Sequence, residues 1–320
     1  LLSTMSVYLF YKICKNFFND KNSLIGTLIF SLFPLMIYSN GLVSSASLQM
    51  FLYLLFFNYY LFFLEGKVDI ISILKLSIIC SLNLILRGEF IIIFFFSIFY
   101  FILINKKKTL SGIIVLILSI GLISPYILRN FDNTNKLHIV NSSGYALWKG
   151  NNQLANVEGF HNSLNPNTRK SWPDVKEFES LYSELDKIEK NELYEINRDD
   201  VFKKEALKNI SSNKIKYFLL YLKKIFSFYL IDFESSLKNY YNFFHIIPVL
   251  IFGILSIPGI IIAYKKKGNF KIKYLISMTL ILTCFISIFF ILPRYKISII
   301  SFQILFSIFC VEYIKKKNVI

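Results

Sequence analysis

Thr109–Asn130 reads TLSGIIVLILSIGLISPYILRN, with Lys106-Lys107-Lys108 before it and Arg129 at its far end. From 109 to 127 no side chain carries a charge. Coiled into a helix at about 1.5 Å per residue, that stretch covers roughly 28 Å, close to the ~30 Å of a bilayer's hydrocarbon core. Comparable runs recur at about 1–18, 24–38, 46–64, 76–86, 90–104, 245–264, 272–292 and 297–314. With 109–127 they predict nine crossings, so the expected fold is an all-α polytopic membrane protein. The pieces 76–86 and 90–104 are short and are expected to form a helical pair that dips incompletely into the membrane. The residue alternation of a transmembrane barrel strand is absent.

The rest of the chain agrees. Of 320 residues, 55% are apolar, with 34 Phe and 20 Tyr, and the formal net charge is +16. Such a charge can signal nucleic acid, but its distribution argues against that partner. Residues 129–216 hold 14 basic and 13 acidic side chains; the other 22 basic and 7 acidic residues belong to the apolar part. The excess is lysine at the ends of apolar runs, which orients helices and meets anionic lipid. Cys14, Cys80, Cys284 and Cys310 lie in apolar runs without framework or metal-ligand spacing, as buried small apolar residues do. The Lys-, Ile-, Asn- and Phe-rich usage suggests an AT-rich bacterial genome and hence the bacterial cytoplasmic membrane.

Lysines cluster at 12, 15 and 21; at 67 and 75; at 106–108; at 265–267, 271 and 273; and at 315–317. Nine crossings place every cluster on one side, the cytoplasmic one by the positive-inside rule. All five arginines, Arg87, Arg129, Arg169, Arg198 and Arg294, then fall on the opposite side. Arg87, Arg129 and Arg294 each stand where an apolar run ends. A guanidinium is a planar fork of donors matched to phosphate oxygens, so these three are candidate ligands for a lipid phosphate, with Tyr295 beside Arg294. The competing reading is that each snorkels to headgroups. Glu89 lies two residues from Arg87 and is a secondary candidate and an ion-pair partner; Asn130 beside Arg129 is another.

On this topology the chain divides into N-terminal transmembrane helices (1–127), an extracytoplasmic loop domain (128–216), an interfacial helix and linker (217–244) and C-terminal transmembrane helices (245–320). The first third of the loop, rich in Asn, Ser and Gly, reads as irregular. From about Asp174 to Lys216 it reads as charged helix. Tyr217–Ile231 is apolar but carries Lys223 and Lys224 in its middle; spanning would bury them at a cost of a few kcal/mol. It is therefore expected to lie on the outer leaflet.

Within the loop, Trp148-Lys149-Gly150-Asn151-Asn152 offers an aromatic face and amide donors and acceptors suited to a sugar or an acceptor. The same residues also read as an Asn-rich turn. Asp132, Glu158, Asp232 and Glu234 are further acids near the outer interface; Asp20, Glu65, Asp69 and Glu312 face the cytoplasm. His138, His161 and His245 are read as polar surface or interface residues. No Ser–His–Asp spacing, phosphate-binding glycine loop or zinc pattern is present. No cofactor is called for. A divalent metal is compatible with a phosphate-bearing donor, but no ligand cluster is visible.

SPYILRN (Ser124–Asn130) followed by SGYALWKGNN (Ser143–Asn152) resembles the bacterial polyprenyl-phosphate-sugar-dependent glycosyltransferases related to protein O-mannosyltransferases. LILRGEF (Leu84–Phe90), PRYK (Pro293–Lys296) and LFPLMIYSNGLVSSASL (Leu32–Leu48) are similar, in the same order, to further segments of that family. The resemblance implies a GT-C helix bundle. It also implies transfer of a sugar, with inversion, from a polyprenyl-phosphate donor to an extracytoplasmic protein, lipid or glycan acceptor. A carboxylate would act as base, and basic residues would steady the leaving phosphate. Tyr126 stands for the family's Trp, Gly88 for its Pro, and no acid occurs at Ser45 or Ala46. The family's catalytic aspartate lies between its first two helices, and the first run here matches the second of them. The base is thus expected upstream of Leu1, and this stretch alone is expected to be inactive. A lipid-linked glycan polymerase or ligase, and a transporter or flippase of lipid-linked sugars, are the alternative readings.

Overall fold

The structure, a computed structural model, describes residues 1–41, 44–66, 68–136, 139, 142–159, 176–235, 237, 242–267 and 269–317, without the side chains of residues 266 and 267. Among them no strand occurs. The helices are α1 (Leu2–Lys15), α2 (Asp20–Ser31), α3 (Pro34–Gly41), α4 (Ala46–Phe63), α5 (Ile70–Leu86), α6 (Phe90–Ile104), α7 (Thr109–Thr134), α8 (Ser143–Gly150), α9 (Glu179–Asp186), α10 (Tyr194–Ser212), α11 (Lys214–Tyr229), α12 (Phe243–Lys267), α13 (Phe270–Ile286) and α14 (Ile297–Lys317).

All nine apolar runs contain helix, but 24–38 is divided between α2 and α3, 272–292 is helical only as far as Ile286, and the helices differ in length. Four segments, Ala46–Phe63, Lys106–Thr134, Phe243–Lys265 and Pro293–Lys317, are long and apolar enough to cross a membrane. A fifth is reached if α2 and α3, bent by 47°, form one broken span. The bend falls ahead of Pro34, which lacks an N–H and restrains the residue before it. α1 and α6 have 14 and 15 residues, about 21–23 Å of rise against a ~30 Å core. α5 begins at Ile70, not near 76, because the Asp69 side chain caps it by accepting from Ser72 N at 2.9 Å. It reaches 17 residues and, with α6, stays short of the spanning length.

The outward side chains suit lipid. Leu74, Ile78, Leu82 and Ile85 on α5, Phe95, Phe99 and Leu103 on α6, and Ile251, Ile254, Ile257 and Ile261 on α12 are all exposed. Three- and four-residue spacing sets each group as a stripe on one helix face. Water does not favour apolar stripes of this extent; hydrocarbon does.

The chain forms two compact units: Leu1–Pro125 with Leu237–Leu282 and Arg294–Ile320, and Tyr126–Ser236 with Thr283–Pro293. In the first, α14 is the central helix: every residue from Ile297 to Cys310 is buried. α12 packs on it backbone to backbone at Gly259, where a Cβ would stand 2.0 Å from Phe306 O. Ser307 Oγ donates to Phe252 O at 3.0 Å across the same pair. Small residues at such contacts supply the van der Waals packing that holds helices together in lipid. Polar side chains tie neighbours: Asn83 Nδ2 to Leu52 O (3.2 Å), Ser81 Oγ to Ser119 O (3.0 Å), and Ser97 with the Tyr274 hydroxyl (2.7 Å). Lys271, from one of the lysine clusters, is buried and paired with Glu65 and with Asn16 Oδ1 at 2.9 Å.

The second unit has its own small core of Trp148, Phe178, Leu181, Phe202 and Ala206. α8 has no side-chain cap of its own from Ser142. Instead, Asp199 of α10 accepts from Gly144 N and Tyr145 N, both at 2.8 Å, placing a carboxylate where the helix end favours negative charge. The region expected to be irregular thus contains the end of α7, which runs through Pro125 to Thr134, and α8. The expected charged helix is two, α9 and α10, separated by residues 187–193.

Candidate functional site

Arg87 closes α5, its N–H donating to Asn83 O at 2.9 Å. Glu89 stands two residues on, as the N-cap of α6. Gln49, one turn into α4, donates through Nε2 to Glu89 Oε1 at 2.9 Å. Burial pushes the Glu89 carboxyl above its ordinary range, against the opposing influence of Arg87 and Gln49. The Arg87 Nε is buried without a hydrogen-bond partner. The hydroxyl of Tyr53, one turn beyond Gln49 on α4, is buried as well; it interacts with Gln49 and feels the charges of Glu89 and Arg87.

The second arginine enters from far along the chain. Arg294 lies in the 3-10 turn Pro293–Lys296 that leads into α14. Its guanidinium carbon is 5.7 Å from the centre of the Tyr295 ring. The Tyr295 hydroxyl is governed by burial first; it also interacts with Arg294 and feels the charges of Glu89 and Arg87. Arg87, Glu89, Arg294 and Tyr295 therefore belong to one cluster in the first unit, with two guanidinium groups against one carboxylate. A buried guanidinium donor without a partner and a positive balance are what an anion would bind.

A cavity of about 230 Å³ lies among the starts of α1 and α4, the end of α2, and α3. Ser3, Thr4, Ser6, Ser31, Ser39, Asn40 and Ser47 line it with Val7, Phe30, Met36 and Met50. Ser47 Oγ donates to Asn40 Oδ1 at 2.6 Å. Met50 faces the cavity from the position next to Gln49, so α4 serves both places.

Comparison with protein-family models, with curated proteins and with solved structures finds no match to this chain.

The remaining candidates lie in the second unit. Arg129 is exposed on the last turns of α7, and Asn130 accepts through its carbonyl from Thr134 Oγ1 at 2.6 Å. Trp148 is fully buried. Phe178 and Phe202 stand 5.3 and 4.9 Å from its ring centre, so the ring builds the small core and presents no face to a sugar in this arrangement. Gly150 is pressed against backbone: a Cβ there would lie 2.6 Å from Phe289 C. Asn151 and Asn152 are buried and spend their amides on carbonyls, Asn151 on Leu147 and Ile288 and Asn152 on Trp148 and Lys149. The segment behaves as a structured turn. Arg169, His138 and His161 lie outside the described residues. Among the described residues no group of three or more His, Cys, Asp or Glu side chains is placed to hold a metal.

Sequence reasoning missed Gln49 and Tyr53; their four-residue spacing on α4, in line with the arginine-bearing turn, is the signal that pattern offers. It also read Lys224 as a charge that avoids burial. That side chain is fully buried in the second unit, donating to Gly150 O at 2.6 Å and Asn151 Oδ1 at 3.2 Å. Burial lowers its pKa from 10.5 to about 7.

Proposed function

We propose that the protein is a membrane glycosyltransferase that takes a sugar from a polyprenyl-phosphate donor and passes it to an acceptor outside the cytoplasm, with Arg87 and Arg294 on the donor phosphate. The observation that carries this reading is that Arg87 and Arg294, from distant parts of the chain, both act electrostatically on the Tyr295 hydroxyl, as does Glu89. Tyr53 adds a hydroxyl donor. The hydroxyl-lined cavity on the adjoining face of α4 suits a sugar ring. The positive-inside pattern supports placing this cluster at the extracytoplasmic face of a bacterial plasma membrane, with nine helices in the GT-C manner and the second unit as the outer domain. In this reading Glu89 orients Arg87 and is not the catalytic base.

The test is binding and transfer. Protein in nanodiscs is incubated with radiolabelled polyprenyl-phosphate monosaccharides, and retention and transfer are followed for the parent and for Arg87→Lys. The reading expects retention that Arg87→Lys weakens. Retention indifferent to Arg87, or preference for lipid-pyrophosphate oligosaccharide, would overturn it, the latter in favour of a polymerase or ligase. Movement of an intact lipid-linked sugar across proteoliposomes would point to a flippase.

A further inference from the structure

α11 has two unlike faces. Tyr217, Lys224, Ser227 and Phe228 are buried within the second unit. Ile215, Phe218, Leu219, Leu222 and Phe226 are exposed, Ile215 by 76% and Phe218 by 60%. At about 100° per residue these five fall on one stripe opposite Lys224. Lys214 falls roughly 100° to one side of the stripe's centre, and Lys216 and Lys223 a similar angle to the other. All three lysines are exposed. Lys216 Nζ reaches Gln153 O at 2.8 Å and Lys223 reaches Glu234 at 2.5 Å, so both ammonium groups are held at the stripe's edge.

Among α8 to α11 the stripe belongs to α11: on α8, α9 and α10 the sole large apolar side chain exposed is Leu207. We infer that α11 lies flat on an anionic lipid surface, with the Ile215–Phe226 stripe in the acyl boundary and Lys214, Lys216 and Lys223 at headgroup level. An apolar stripe bordered by lysines on both sides matches the layering of an interface, apolar below and anionic at the rim. A protein groove would have no need of symmetrical basic edges. The buried Lys224 rules out the other membrane arrangement, because it ties the opposite face to Gly150 and Asn151. This inference stands apart from the glycosyltransferase reading.

The experiment places a fluorophore on the stripe. Cys284 is the exposed cysteine; Cys14, Cys80 and Cys310 are buried. In a Cys284→Ser background, Leu222→Cys and, as a control on α10, Lys204→Cys are labelled with NBD. The protein is placed in phosphatidylcholine–phosphatidylglycerol nanodiscs. At position 222 the emission is expected to shift to the blue and lose most of its iodide quenching. Nitroxide near the lipid headgroup should quench it more than nitroxide near the chain end. Position 204 should stay iodide-accessible. Replacing Lys214 and Lys216 by Gln should reduce lipid quenching at 222 and remove its dependence on phosphatidylglycerol. Iodide access at 222 equal to that at 204 would overturn the inference. So would protection from both quenchers, which means a protein partner, or strongest quenching at the chain end, which means a span. Indifference to phosphatidylglycerol in the parent would overturn the anionic part.

Discussion

Gln49 on α4 donates to Glu89 at 2.9 Å across forty residues of sequence. The bond fixes the carboxylate between α4 and the turn that carries Arg87. Removing it with Gln49→Leu leaves a buried carboxyl one donor short, which costs about 1–3 kcal/mol. Loss of thermal stability in detergent should show it.

The same carboxyl sets a pH dependence. Because burial raises its pKa, the folded protein retains a proton that the unfolded chain has released. The stability from this group is full below the ordinary carboxylate range and is lost as pH rises through the raised value. Glu89→Gln should flatten that decline above the ordinary carboxylate range. An identical slope in the variant would remove Glu89 as its source.

Arg87→Lys and Arg294→Lys keep the charge but lose the planar fork. Each should weaken retention of a polyprenyl-phosphate ligand by about 1.5–3 kcal/mol, roughly ten- to a hundredfold. Membrane insertion should be unchanged. Equilibrium binding in nanodiscs checks both.

Trp148→Ala empties the middle of the second unit's core and should cost about 3–5 kcal/mol, read as early exposure of that unit to protease. Trp148→Phe should recover most of it. A variant that remained protected but lost sugar binding would instead give the ring a ligand role.

Lys224 titrates in the opposite sense to Glu89. Its folded pKa is depressed to about 7 from 10.5, so between those values the folded chain binds fewer protons than the unfolded one. The second unit should gain stability as pH rises through that window. Lys224→Met should erase the gain and leave the Gly150 carbonyl unpaired, a loss of about 1–3 kcal/mol at high pH. Chemical denaturation across the window, compared with the parent, reads both effects.

The apolar runs were legible because hydropathy is a local property: each expected run contains helix, although 24–38 breaks into two and 272–292 leaves the helix after Ile286. Their lengths were less so, since Asp69 begins α5 at Ile70 and α7 continues through Pro125. Arg87 and Arg294 stood out by residue type, but their relation runs through Tyr295, Gln49 and Tyr53, and no local pattern shows such a convergence. Trp148 and the Asn pair show the converse. Their composition suits a sugar, while Phe178, Phe202 and nearby carbonyls already occupy them. Lys224 reads from sequence as a charge that needs solvent, and the structure supplies carbonyl partners instead.

α14 is enclosed by protein along Ile297–Cys310, which bears on the order of assembly. A helix that meets its neighbours on every side cannot be recruited by lipid alone. α2, α4 and α12, which precede it in the chain and pack against it, must leave a slot open during synthesis. Until α14 arrives, Phe306 is missing from under Gly259, and the arginine turn just ahead of it has no fixed seat. The anion cluster is thus completed only after most of the chain has been made, and a nascent protein arrested earlier would carry Arg87 without Arg294.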